Sequence, residues 1–82
     1  MDITIRLFGA EADAAGEREL RLQVAGESAT CADLRGVVAD RFPALAELLS
    51  QARFAVNHEF AKDQTVVRAD DEVALIGAVS GG

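Results

Sequence analysis

One stretch of helical periodicity long enough to cover a sheet sits in the middle of this chain, between two groups of alternating residues. Leu34, Val37, Val38 and Phe42 recur at helical spacing, and Leu45, Leu48 and Leu49 continue an apolar side beyond Pro43. Thr30 reads as an N-cap, with Asp33 three residues on to help the helix start. Pro43 interrupts the backbone ladder but suits the first position of a new turn, so the helical region, 31–50, is predicted to break near Phe42-Pro43. Before it, Ile3, Ile5 and Leu7 alternate with Thr4, Arg6 and Phe8, and Leu20, Leu22 and Val24 alternate with Arg21 and Gln23. Period two means strands, here a hairpin joined across a segment bounded by Gly9 and Gly16 that reads as a loop or one loose helical turn. After the helix, Phe54 and Val56 share a face ahead of a turn at Asn57-His58-Glu59. Residues 61–71 read mostly as connection, with a short edge strand. A last strand over 72–79 places Val73, Leu75, Gly77 and Val79 on one face.

Strand, strand, helix, strand, strand predicts an α+β chain of the β-grasp (ubiquitin-like) type, a mixed sheet with one main helix packed on one face. The first and last strands are then neighbours at the sheet's centre. At 82 residues there is room for one small domain, 1–79, followed by a flexible Gly-Gly tail over 80–82.

The formal net charge is −6, which argues against nucleic acid or an anionic membrane surface as partner, because phosphates would be repelled. No apolar run approaches the roughly 20 residues of a membrane span. Asp2 and Arg6 interrupt any signal-like start, and a single cysteine implies no oxidising compartment, so the cytoplasm is expected.

Catalytic residues are sparse. His58 is the only histidine and lies in a polar turn. Cys31 opens the helix, where the dipole would favour a thiolate, but it falls on the apolar side and reads as a small core residue. Lys62 is the sole lysine, with no sign of a desolvated pocket. Glu11, Asp13, Asp70, Asp71 and Glu72 read as solvated turn carboxylates. No metal-spaced Cys or His pair and no phosphate loop is present, so neither a metal nor a cofactor is expected on this chain.

Two features go beyond what packing needs. Phe8 and Ile76 have the parity of the sheet's uncovered side, and Phe60 is placed to join them. Contiguous apolar groups on a surface mark a docking site more often than isolated ones do. The bland alternative is a loop folded over them, or a strand of opposite parity. The second feature is Ser80-Gly81-Gly82. Without a β-carbon, Gly81 and Gly82 can enter a channel too narrow for other residues, and an extended tail reaches about 10–15 Å. Simple fraying is the competing reading of that tail.

"DDEVALIGAVSGG", "ITIRLFGAEADAAGE" and "AVNHEF" resemble the MoaD-type sulfur carriers, the small subunits of molybdopterin synthase, over essentially the whole chain. The sequence departs from that family at Gly77 and Ala78, where two prolines are common. The resemblance implies that an E1-like activating enzyme uses ATP to adenylate the Gly82 carboxylate, which is then converted to a thiocarboxylate. It implies that the loaded tail enters the large synthase subunit and gives sulfur to cyclic pyranopterin monophosphate. Phe8, Phe60 and Ile76 match that family's contact positions for both partners, and the acidic surface is expected to suit a basic partner groove. A carrier for a thiamine- or tungsten-related pathway, a ubiquitin-like protein modifier and a plain interaction module are the alternatives.

Overall fold

A computed structural model describes residues 1–77. Strand β1 (Asp2–Leu7) pairs antiparallel with β2 (Glu19–Gln23) on one side and parallel with β7 (Val73–Ile76) on the other. Strand β4 (Arg53–Val56) pairs with β7 and with the short β5 (Glu59–Phe60), giving the order β2-β1-β7-β4-β5. The parallel β1–β7 pair at the centre is what the expected β-grasp topology requires. Alternation holds throughout: Ile3, Ile5, Leu7, Leu20, Leu22, Phe54, Val73 and Leu75 are all buried on one face.

That face is covered by α2 (Cys31–Arg41), a 3₁₀ turn at Pro43–Leu45 and α3 (Ala46–Leu49), which contribute Cys31, Leu34, Val38, Leu45 and Leu49 to the same core. The start of α2 is the predicted one. Asp33 donates its backbone N–H to Thr30 Oγ1 at 3.1 Å, and Thr30 donates its own to Asp33 Oδ2 at 3.2 Å. Both bonds satisfy N–H groups that a helix start otherwise leaves unpaired. The break falls where Pro43 puts it. Arg35 then ties the two helical pieces together: its guanidinium donates to the carbonyls of Leu49 and Ala52, the latter at 3.1 Å, at the C-terminal end of α3. The same group lies 5.4 Å from the Phe54 ring centre, so one cation both caps and packs.

Three local expectations are revised. The glycine-bounded connection, expected as a loop or one loose helical turn, is a regular helix of seven residues, α1 (Gly9–Ala15). Its alanines favour helix, and Gly16 ends it in the left-handed conformation (φ 72°), donating to Ala12 O at 2.9 Å. The segment 66–67 is not an edge of the main sheet. It forms β6 (Val66–Val67), paired with β3 (Ala29–Thr30) in a separate two-stranded sheet beside the start of α2. The final strand is shorter than expected at its C-terminal end, and Val79 lies outside the described residues.

Candidate functional site

The uncovered face of the sheet carries the site. Phe8 follows β1 in an extended conformation (φ −138°, ψ 157°), so the pleat turns its ring away from the core, and 51% of it is exposed. Register places Arg6, Ala74, Ala55 and Phe60 in one row across β1, β7, β4 and β5. The two alanines make a low floor, and the larger Phe8, Phe60 and Ile76 rise around it. The result is a shallow concavity of about 310 Å³ in which those three predicted contact residues meet. Phe60 is 60% exposed and is held by Arg53, whose guanidinium sits 4.5 Å from the ring centre. No loop among the described residues covers the patch. The floor residues Ala55 and Ala74 escaped sequence reasoning because an alanine carries no surface signal of its own. Their role comes from the neighbours that register gives them.

Charge at this face differs from the chain's average. Arg6, His58 and Glu72 edge the concavity, and Arg53 lies over Phe60. Two guanidiniums and one carboxylate here mean that the acidic balance of the whole chain is not concentrated at the patch.

The turn beside the patch is a rigid one. Asn57 (φ 52°) and His58 (φ 71°) both adopt left-handed backbone, the signature of a two-residue type I′ hairpin, so Val56 pairs directly with Glu59. Asn57 also donates through Nδ2 to Asp71 Oδ1 at 3.0 Å and accepts at Oδ1 from the Glu72 N–H at 2.9 Å. His58 is the solvated residue expected, with Nε2 2.9 Å from Glu72. The Asn57 side chain, then the Arg68 backbone N–H, hold the Asp71 carboxyl below its usual value of 3.8. A depressed carboxyl stabilises the fold above its unfolded value, and that contribution disappears as pH falls through the folded one. The melting-temperature gap between wild type and Asp71→Ala should therefore be constant from pH 7 to pH 5 and close as pH drops below 3.8. A gap independent of pH down to full protonation would show that the Asp71 charge does not brace this turn.

Cys31 is buried as expected, and burial pushes its thiol up, outweighing the lowering by nearby Arg35. A buried protonated thiol is a packing group, not a nucleophile. Glu11 corrects an expectation. It is not a solvated turn carboxylate but a buried one in α1, 4% exposed. A β-carbon built on Gly77 would lie 2.6 Å from Glu11 Oε2 and 2.8 Å from its Cδ, and nearer still to Oε1. At Gly77, where that family commonly has proline, a side chain would need the end of the Glu11 side chain to move aside. Phe8, Glu11, Ile76 and Gly77 line a second groove, which runs from the patch to the end of β7. Ser80, Gly81 and Gly82 lie outside the described residues.

A family model described as the ThiS family matches residues 5–82. The chain belongs to the ThiS family. The molybdopterin synthase sulfur carrier subunit of Arabidopsis thaliana is 33% identical over 82 residues, covering 100% of this chain and 84% of the plant protein. The ThiS-family match and this relative together identify a MoaD-type ubiquitin-like sulfur carrier. Among solved structures, SAMP1 from Haloferax volcanii superposes with a TM-score of 0.84 at 30% identity, covering 100% of both chains. A complex of subunits 1 and 2 of the molybdopterin-converting factor from Helicobacter pylori matches this ThiS-family fold at a TM-score of 0.71 and 22% identity, covering 100% of both chains. No helix among the described residues of this carrier is long and apolar enough to cross a membrane.

Proposed function

We propose that this ThiS-family carrier is the sulfur-donating subunit of a molybdopterin synthase and acts in the cytoplasm. The observation that carries the reading is similarity, over the whole of this chain, to a relative named a molybdopterin synthase sulfur carrier subunit. The geometry supports it. An open apolar concavity suits docking, a groove leads from it to the base of the C-terminal segment, and the candidate nucleophile Cys31 is locked in the core.

In this reading the partners supply the catalysts. In the activating enzyme a Gly82 carboxylate oxygen attacks the α-phosphorus of ATP and pyrophosphate leaves. Sulfide-level sulfur attacks the acyl carbon, AMP leaves, and a thiocarboxylate remains; with a persulfide donor the product is an acyl disulfide, which a thiol must reduce to reach the same thiocarboxylate. Adenylation is needed because a free carboxylate is a poor electrophile. The loaded tail then enters the large subunit, where the thiocarboxylate sulfur attacks a carbon of cyclic pyranopterin monophosphate and displaces an oxygen from it; water hydrolyses the resulting thioester, leaving the sulfur on the pterin and the carboxylate on Gly82. Two such transfers build a dithiolene. Holding sulfur on a tether raises its effective concentration at the acceptor and keeps it from diffusing away as sulfide. The carrier itself binds no cofactor, and ATP is consumed on the activating enzyme.

Intact-mass analysis tests this. Protein incubated with the activating enzyme, ATP and a sulfur donor should gain the mass difference between sulfur and oxygen, mapped to Gly82. The large subunit should remove that sulfur only in the presence of the pterin precursor. Loading without transfer would point to a thiamine-related or other sulfur pathway. The similarity to SAMP1 favours one further reading, a protein modifier. Conjugates to target lysines that vanish when Gly82 is deleted would establish it.

A further inference from the structure

We propose that Glu11 is a positioning residue for sulfur delivery, acting by holding Gly77 at the base of the C-terminal segment. The inference rests on the carrier reading. Glu11 is the one charged residue buried among those described, and nothing in α1 demands that. Its helix neighbours Ala10, Asp13 and Ala14 face solvent, and an exposed glutamate would serve the helix as well. Burying a carboxylate is costly unless the site gains something from it. Among the described residues, the group this carboxylate lies against is Gly77. The carboxylate fills the volume a Gly77 side chain would occupy, and no larger residue fits there while Glu11 stays in place.

The backbone supplies no competing explanation for this glycine. Gly9, Gly16 and Gly26 take positive φ, whereas Gly77 does not, so an L-residue could adopt its conformation without strain. Gly77 is a glycine for space, and Glu11 is what uses that space. The contact also spans the functional map. Glu11 sits in the helix that starts at Phe8, while Gly77 follows Ile76, so the carboxylate links the two patch residues to the point where the chain departs from β7. Docking through the patch and aiming the chain's last residues are thereby coupled through one buried group.

The test uses Glu11→Ala, Glu11→Gln, Gly77→Ala and the double variant Glu11→Ala/Gly77→Ala in the full chain. With saturating large subunit and pre-loaded carrier, single-turnover transfer should slow about tenfold for Glu11→Ala and for Gly77→Ala, since small misplacements are expensive in rate. Glu11→Gln keeps the shape and should stay within about twofold of wild type. Capture by the large subunit should be unchanged in all four. A merely structural role would lower stability without this split between capture and transfer. A second readout needs no sulfur chemistry. Gly77→Ala must push the end of the Glu11 side chain aside, so it should lower the melting temperature of the wild-type background. In the Glu11→Ala background it should leave that temperature unchanged or raise it. Gly77 amide exchange should quicken in Glu11→Ala. Wild-type transfer rates in Glu11→Ala, or additive melting shifts, overturn the proposal. Coupled melting shifts among the variants, together with a wild-type protein that never loads sulfur, would instead sink the carrier reading and leave the Glu11–Gly77 contact standing.

Discussion

Phe8→Asp should weaken capture of the large synthase subunit by about a hundredfold or more, because burying a carboxylate in an apolar contact and losing an aromatic anchor together exceed about 2.8 kcal/mol. Phe8 is the residue of choice because it borders both grooves, the one floored by Ala55 and Ala74 and the one that leads to Gly77. It is also a clean probe. Half of the ring is already in water, so the isolated domain loses little by its removal. Phe8 is moreover the N-cap of α1 and makes no side-chain cap bond there. Aspartate is among the best N-cap residues, so the substitution should leave the melting temperature unchanged or raise it. Loss of capture would then report the interface and not unfolding. Thr4→Asp, an exposed β1 residue outside the concavity, is the matched control and should bind as wild type. Titration calorimetry of each variant against the large subunit decides the matter. An unchanged Kd for Phe8→Asp would mean that this concavity is not where the partner docks.

Much of this arrangement is legible in the order of the residues, for reasons that differ from element to element. Strands β1 and β2 are legible because every second residue is apolar and one face alone is buried, so parity and register constrain each other. The start of α2 is legible because Thr30 and Asp33 sit at capping-box spacing, and its end because proline cannot donate. Helix α1 is not, since it carries no apolar stripe and is flanked by glycines that also fit a loop. The β3–β6 pair is not, because two-residue strands have no periodicity to detect. At the site, Phe8 and Ile76 follow from parity; Phe60, read only as a neighbour from the next connection, takes its place from the pairing of β5 with β4. Glu11 does not: its burial depends on the missing side chain of a residue at the other end of the chain, and no local pattern connects the two.

Removing Gly82 should abolish sulfur loading, with at least a hundredfold loss of rate, while leaving capture by the large subunit within about twofold of wild type. The chain end would retreat by one residue, about 3.3–3.6 Å, farther than the reacting carboxylate can be displaced from ATP without losing its alignment. Phe8→Asp and the Gly82 deletion therefore fail in different ways. A docking defect is a mass-action problem, so raising the concentration of the large subunit should restore transfer by pre-loaded Phe8→Asp carrier. A carboxylate that falls one residue short of the ATP is not, so no concentration of activating enzyme should load the deletion variant. Thiocarboxylate formation by the deletion variant against activating enzyme, and thiocarboxylate consumption by pre-loaded Phe8→Asp carrier against large subunit, separate the two. If the deletion variant loads at high enzyme concentration, reach is not what limits the chemistry. If transfer by pre-loaded Phe8→Asp carrier stays low at every concentration, the patch does more than dock: it must shape the transition state itself.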